Sequence, residues 1–172
     1  MKANNIIWSV ILIILIGGSL FMYSDKKLSN EITQTEKDTN AEVKEEINVS
    51  SVLTSDKSIY DFGDIDIFGG KVTTEFILTN TGTEDIIILN GVTSCGCTEA
   101  EIDGILFGMH EGMSNEVVVK AGDTIPMKVI YDPLAHGPSG VGLAQRSVFL
   151  KTNSSATPEL EVRIKAMVTK KE

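Results

Sequence analysis

The two cysteines are the residues whose type and spacing point most directly to chemistry. Cys95 and Cys97 are the only cysteines of the chain, and a single glycine separates them. A pair at this spacing can form a local disulfide in an oxidising compartment, because its Cα atoms can come within the usual range and Gly96 permits a tight turn. By the loop-entropy relation such a bridge stabilises a fold by only about 1.6 kcal/mol, against about 3 kcal/mol for a fifteen-residue loop. A small strained ring is also comparatively easy to reduce, so this interpretation includes a redox role.

Metal binding and a structural thiol pair are the two other interpretations. Two thiolates suit Cu(I) or Zn(II), but two ligands rarely complete a site. Further soft or imidazole ligands follow later in the chain: Met109, His110, Met113 and His136. The alternative for these four residues is a flexible loop that contains Met and His without a metal role. In the third interpretation the two cysteines are reduced, partly buried thiols that shape a turn.

No catalytic motif accompanies the cysteines. Neither histidine has a carboxylate or amide partner at a recognised spacing, which disfavours a cysteine nucleophile. The sequence has no glycine-rich phosphate loop opening a helix, no HExxH and no GxSxG. We therefore expect a protein that is not an enzyme and that needs no cofactor, with copper as the alternative.

The elements that must position the cysteines are β-strands. From Ile59 onwards apolar and polar residues alternate, and turn residues recur at short intervals. The alternation predicts about seven strands: Ile59–Phe62, Lys71–Asn80, Ile86–Leu89, Glu116–Lys120, Thr124–Tyr131, Arg146–Thr152 and Glu159–Val168. Two antiparallel sheets are the usual way to bury one face of each such strand. The prediction is an all-β, immunoglobulin-like antiparallel sandwich over residues 59–172, with a small barrel as the alternative.

Three finer expectations follow from the same pattern. The apolar run from Ile86 to Leu89 indicates a strand that is buried on both faces. Pro126 lacks an N–H and is expected at a sheet edge or a bulge. Arg146 and Arg163 are expected to be ordinary charges on the outer surface of their strands.

The first 58 residues are expected to lie outside the sandwich. Residues 1–5 form an N-terminal tail, and residues 6–23 contain no charged residue. A helix of that length spans about 27 Å, close to the roughly 30 Å hydrocarbon core of a bilayer. We therefore predict a transmembrane signal-anchor, with a cleaved signal peptide as the alternative. Residues 24–58 are polar and predict a flexible linker, within which Val49–Leu53 could form a short strand at the domain edge.

Net charge limits the partners. The chain has a formal net charge of −9 and a pI near 4.7. Nucleic-acid binding needs a basic face, so the composition argues against a nucleic-acid partner. The expected contacts are therefore a membrane, through residues 6–23, and a protein or another component of the cell envelope.

A set of short motifs gives the β-domain a family resemblance. The segments Tyr60-Asp61-Phe62-Gly63-Asp64-Ile65, Leu78-Thr79-Asn80-Thr81-Gly82 and Ser94-Cys95-Gly96-Cys97-Thr98 occur in this order. Later segments are Ala121-Gly122-Asp123 and Val129-Ile130-Tyr131-Asp132-Pro133. Over residues 59–169 the chain resembles the bacterial domain-of-unknown-function 1573 family, which is similar to Hydin-type domains. The resemblance implies an immunoglobulin-like fold and export from the cytoplasm, and no established activity. Against this pattern, residues 99–115 resemble an inserted or lengthened loop.

Together these observations predict a single-pass membrane protein whose sandwich lies in the periplasm or at the cell surface. Its expected function is that of a binding or structural module without a catalytic site. The alternative is a copper- or redox-handling protein that uses Cys95 and Cys97.

Overall fold

Ten β-strands in two sheets make up the described part of the chain. The computed structural model describes residues 49–171. The strands are β1 (Leu53–Ser55), β2 (Ile59–Asp66), β3 (Val72–Asn80), β4 (Ile86–Thr93), β5 (Thr98–Ile102), β6 (Ile105–Phe107), β7 (Val117–Val119), β8 (Thr124–Tyr131), β9 (Gly142–Thr152) and β10 (Glu159–Thr169). No α-helix occurs among these residues, so the all-β prediction holds over the part of the chain that the structure covers.

The strands divide equally between the sheets. The first sheet has the order β1-β3-β8-β5-β6, and the second has the order β2-β10-β9-β4-β7. All neighbours pair antiparallel except β2, which runs parallel to β10 along one edge of the second sheet. The four edge strands are therefore β1, β6, β2 and β7.

The core lies between the sheets, and the apolar alternation in the sequence correctly predicts which side of each strand faces it. On β10 the side chains of Val162, Ile164, Ala166 and Val168 are all buried. Phe76 and Leu78 of β3 are buried in the same way, as are Val148 and Leu150 of β9. Burial of one face of each strand is the main stabilising contribution in a sandwich of this kind.

The segment 99–115 is not a simple loop, which corrects the expectation drawn from the family resemblance. It contains most of β5 and all of β6, which form a hairpin. Asp103 and Gly104 connect the two strands with φ angles of 52° and 77°. An Asp-Gly pair in this conformation is a preferred two-residue hairpin turn, because both positions need a positive φ.

The predicted burial of Ile86–Leu89 on both faces is wrong. Ile86 and Ile88 face the core, whereas Leu89 is exposed. The second sheet has one solvent-facing side, so an apolar run here does not require two covered faces. Pro126 lies on β8 beyond the residues that pair with β5, where its missing N–H breaks no ladder bond to that strand.

The sandwich begins before residue 59. Strand β1 pairs with β3, and Leu53 is buried in the core. Val49 forms a bridge with Ser154, and its N–H donates to the Asn153 carbonyl at 3.1 Å. Residues 49–58, placed in the predicted linker, therefore belong to the sandwich. The predicted membrane segment at 6–23 lies outside the described residues, and a search of residues 49–171 finds no helix with the length and apolarity needed to span a bilayer.

Candidate functional site at the Cys95–Cys97 turn

The cysteines lie on a turn that crosses from one sheet to the other. Strand β4 of the second sheet ends at Thr93, and β5 of the first sheet begins at Thr98. The Thr98 N–H donates to the Cys95 carbonyl at 3.0 Å, which closes the turn. The Thr93 hydroxyl lies 2.8 Å from the Thr98 carbonyl and 3.1 Å from the Cys95 carbonyl. These three bonds hold the backbone of the turn without the sulfur atoms, and the Cys97 N–H makes a further contact with Cys95 Sγ at 3.3 Å.

A disulfide joins the two cysteines, with a Cα–Cα distance of 5.3 Å. The two sulfurs differ in their surroundings. Cys97 is 3% exposed and belongs to the core cluster, whereas Cys95 is half-buried at its margin. The Cys97 carbonyl accepts a hydrogen bond from the Asp132 N–H at 2.9 Å, which ties the buried cysteine to the end of β8. The pair thus presents one accessible sulfur and one buried sulfur.

Arg146 contacts the buried sulfur. Its Nε donates to Cys97 Sγ at 3.0 Å, and its Nη1 donates to the Gln145 carbonyl at 2.7 Å. The guanidinium carbon also lies 6.0 Å from the centre of the Tyr131 ring. Arg146 is half-buried because it occupies the core-facing register of β9, between the buried residues Ala144 and Val148. The expectation of an ordinary surface charge is therefore wrong for this residue.

The charge of Arg146 has no carboxylate partner within the described part of the chain. The ion pairs found there involve other cations, including Arg163 with Glu161. A half-buried cation is costly unless it is paired or hydrogen-bonded. The groups that meet this cation are the Cys97 sulfur, a carbonyl and an aromatic face. This arrangement marks Arg146 as part of the site, and the sequence analysis missed it.

Tyr131 forms the apolar side of the surroundings of Arg146. It is the last residue of β8, opposite Thr98 of β5, and it is buried. Burial raises the pKa of its hydroxyl, the Arg146 charge opposes that rise, and Asp132 adds to it. The hydroxyl is therefore neutral at physiological pH, and Tyr131 supplies an uncharged wall.

His136 is the predicted ligand that the fold brings to the cysteines. It lies in the connection between β8 and β9, and its Nε2 is 3.2 Å from Cys95 Sγ. The ligand atoms of Cys95, Cys97 and His136 all lie within 4.8 Å of one another. Thiolate and imidazole suit Cu(I) and Zn(II), so this group could hold such an ion once the disulfide is reduced.

The other three predicted ligands are less well placed than His136 to bind a metal together with the cysteines. His110 is not one of that group of three, although its Nε2 would lie 3.9 Å from a Cβ built on Gly96. Met113 packs against the hydrophobic core, and its N–H donates to the Asn90 side chain at 3.0 Å. Met109 is exposed. The metal and redox roles of all six candidates stay predictions.

Comparison with protein families gives one match, to the family described as "Protein of unknown function (DUF1573)" over residues 53–168. A comparison with curated proteins gives no match.

Among solved structures, the chain is similar to a protein of unknown function from Porphyromonas gingivalis W83, with 15% identity and a TM-score of 0.56. That alignment covers 69% of this chain and 47% of the other. A PapD-like domain of human CEP192 aligns with 12% identity and a TM-score of 0.46, covering 72% of this chain and 89% of the domain. The VesB protease of Vibrio cholerae aligns with 15% identity and a TM-score of 0.47, over 67% of this chain and 31% of the protease. This chain thus spans less than half the length of the Porphyromonas gingivalis protein and of the VesB protease. At these identities the similarity concerns the fold alone.

Proposed function

Because this chain belongs to the DUF1573 family of proteins of unknown function, we propose a function from its own surface. The protein is an extracytoplasmic, non-catalytic binding module, which a membrane segment at residues 6–23 holds at the membrane. It receives an extended segment of a protein partner along the β7 edge of the second sheet. The absence of charge in residues 6–23 supports the membrane attachment.

The observation that carries this proposal is the difference between the two edges of the second sheet. Strand β2, at one edge, contains Asp61, Asp64 and Asp66 and a break in its register with β10. Acidic side chains and irregular register are common protections against pairing with another chain. Strand β7, at the other edge, consists of three valines. Within residues 49–171, the three residues of β7 carry neither the charges nor the register break of β2, which favours strand addition at the β7 edge.

The backbone of β7 is oriented to accept a partner strand. Ile87 of β4 donates its N–H to the Asn153 side chain, on the β9 side, at 2.8 Å. Ile87 lies opposite Val118, so this is the pair that exchanges no ladder hydrogen bonds. In an antiparallel ladder such a residue directs its own N–H and C=O to the other edge. Val118 therefore offers a donor and an acceptor to an added strand.

An apolar strip continues from β7 across the outer face of the sheet. Val118 is 49% exposed and Leu89 of β4 is 40% exposed. Beyond Leu89 along β4 is a groove of about 210 Å³, lined by residues of β4, β9 and β10: Asn90, Gly91, Val92, Phe149, Lys151 and Glu159. Main-chain hydrogen bonds at an edge provide affinity, and adjoining pockets provide specificity, when a sheet recruits an extended peptide. The strip and groove would receive alternate side chains of the partner segment.

Site-specific photocrosslinking in the native cell tests the proposal. A photoreactive amino acid replaces Val118 in the full-length chain, and the matched control places it at Asp64 on the β2 edge. We expect a discrete crosslinked partner from position 118 alone, and its loss when Leu89→Lys is added. Equal crosslinking from both positions, or none from position 118, would contradict the proposal. Fractionation tests the attachment, since the proposal requires an intact chain in alkali-washed membranes rather than a released form lacking residues 1–23.

Copper or redox handling is the second candidate function, favoured by the convergence of Cys95, Cys97 and His136. A disulfide and a bound metal exclude each other at these sulfurs, so the metal form requires the reduced pair. Anaerobic titration of the reduced full-length chain with Cu(I), against a competing chelator, tests it. We expect uptake that weakens at least tenfold in His136→Gln and not in His110→Gln. Absence of uptake above micromolar affinity would remove the metal form of this candidate.

A further inference from the structure

We propose that the Cys95–Cys97 disulfide exchanges with external thiols at one of its two sulfurs only. The attacking thiolate bonds to Cys95 Sγ, and Cys97 Sγ leaves as a thiolate that Arg146 stabilises. This inference rests on the redox form of the second candidate function, and it names the reacting partner as an accessible thiol. It is independent of partner binding at β7.

Burial decides which sulfur is attacked. Exchange requires a nucleophile to approach a disulfide sulfur in line with the bond that breaks. Cys97 is 3% exposed and packed in the core cluster, which leaves no approach from solvent. Cys95 is half-buried at the surface of the turn, beside the exposed His136. The accessible electrophile is therefore Cys95 Sγ.

Arg146 favours the same outcome, because it stabilises the sulfur that leaves. A thiol whose thiolate is stabilised is the better leaving group in exchange, and a nearby arginine favours the thiolate. The Arg146 Nε–H already points at Cys97 Sγ at 3.0 Å. No carboxylate among residues 49–171 is paired with this guanidinium. Cleavage of the disulfide by attack at Cys95 thus creates an anion beside the half-buried cation, which has no carboxylate partner within residues 49–171.

The backbone keeps the leaving sulfur in place. The Cys97 carbonyl is held by the Asp132 N–H at 2.9 Å, and the Thr98 N–H holds the Cys95 carbonyl at 3.0 Å. These bonds do not involve the sulfurs, so they persist when the disulfide opens. The Cys97 thiolate is then positioned beside Arg146 and can attack the mixed disulfide in the reverse step.

The reaction balances as two exchanges. In the first, a thiolate RS⁻ forms an S–S bond to Cys95, the Cys95–Cys97 bond breaks, and Cys97 leaves with the electron pair. In the second, another thiolate attacks the RS sulfur of the mixed disulfide and releases Cys95 as a thiolate, which takes a proton from solvent. Overall two thiols are oxidised to one disulfide, and the cysteine pair is reduced by two electrons. The reverse sequence reduces a partner's disulfide and restores the Cys95–Cys97 bond.

Trapping of the mixed disulfide formed in the first exchange tests which sulfur is attacked. The oxidised full-length chain in mild detergent is mixed with reduced glutathione, quenched with acid and alkylated with N-ethylmaleimide. Fragment-ion mass spectrometry then locates the two adducts. We expect glutathione on Cys95 and maleimide on Cys97. Glutathione on Cys97, or a disulfide that stays intact in excess thiol, would overturn the proposal.

The rate of exchange tests the role of Arg146. We expect Arg146→Gln to slow the first exchange roughly tenfold to hundredfold, because a charge-assisted hydrogen bond to the leaving thiolate is lost. Arg146→Lys should recover part of the rate, and Arg163→Gln, which removes another guanidinium of the second sheet, should leave it within about twofold. An unchanged rate in a folded Arg146→Gln protein, judged by circular dichroism, would refute the role of Arg146.

Reduced thioredoxin as a second probe identifies the source of the thiol. A rate per thiolate well above that of glutathione indicates a protein dithiol, and the opposite order indicates a small thiol. A failure of thiol exchange would not change the crosslinking expected at position 118. The exchange proposal and the partner-binding proposal can therefore fail separately.

Discussion

Replacement of the buried Asn80 should loosen both the β3–β4 turn and the β7 edge. Asn80 is fully buried at the end of β3. Its Nδ2 donates to the Glu84 carbonyl at 2.8 Å and to the Val119 carbonyl at 3.0 Å. Its Oδ1 accepts from the Gly82 N–H at 3.0 Å. One side chain therefore joins a tight turn to the strand that we propose as the partner-binding edge.

The expected cost of Asn80→Ala follows from these three hydrogen bonds. Each contributes about 0.5–1.5 kcal/mol net, and a buried group left without a partner costs about 1–3 kcal/mol. Val119 loses only one of its bonds, because its carbonyl also faces β4, and water can reach the turn. We therefore expect the free energy of unfolding to fall by about 2–4 kcal/mol, which lowers Tm by roughly 8–15 °C for a domain of this size.

Urea unfolding of the full-length chain in mild detergent, followed by circular dichroism, measures this change. The exposed Asn115→Ala is the matched control and should shift the free energy by less than about 0.5 kcal/mol. Asn80→Asp keeps the acceptor but removes both donors and buries a charge, so it should be more destabilising than Ala at neutral pH. A loss below about 1 kcal/mol in Asn80→Ala, or a milder effect of Asp, would refute the reasoning.

Two further substitutions test the packing and the surface charges. Gly91→Ala places a Cβ about 2.5 Å from the Phe107 ring, so we expect a loss of about 1–3 kcal/mol in urea unfolding; Gly108→Ala, where the nearest atom is 3.8 Å away, should be close to neutral. Lys120 and the Ala121 N–H lower the pKa of Asp85 below its usual 3.8. The charged form therefore stabilises the fold above about pH 4, the unfolded-state value, and this contribution is lost as pH falls from there through the lower folded-state pKa. Asp85→Asn should flatten the loss of Tm between about pH 5 and pH 3, and an unchanged slope would contradict this assignment.

The strands that the sequence predicts best are those with long alternation. Strand β10 has five apolar residues at every second position, and the structure buries four of them fully. The β5–β6 hairpin was missed for a physical reason: its strands are short, and β5 includes Glu99 and Glu101 on its outer face. The Asp103-Gly104 pair was a usable signal, because this dipeptide favours the hairpin turn that the structure contains. Residues 49–55 fall within the predicted linker, because too few of them are apolar to show a period.

The site was predicted in part. The sequence identified the cysteine pair, and the motif around it indicated the DUF1573 family, which the family comparison confirms. It could not select among the four candidate ligands, since selection depends on how the β8–β9 connection folds over the turn. The fold brings His136 to the cysteines and packs Met113 into the core. Spacing along a chain does not contain this information.

The position of Arg146 is the clearest case in which the strand alternation predicts more than a surface charge. Ala144, Val148 and Leu150 face the core, so Arg146 has the same parity and also faces inward. A charged residue in a core-facing register needs a partner. The sequence could not name that partner, because Cys97 is 49 positions away and belongs to a turn between the sheets. The contact nevertheless adds to the asymmetry of the cysteine pair: Cys95 Sγ is the more accessible sulfur and lies beside His136, whereas Cys97 Sγ is buried and faces the guanidinium that favours it as the leaving group. Arg146, a strand residue that breaks the inward apolar pattern, is therefore the residue at which the redox proposal for this sandwich is best tested.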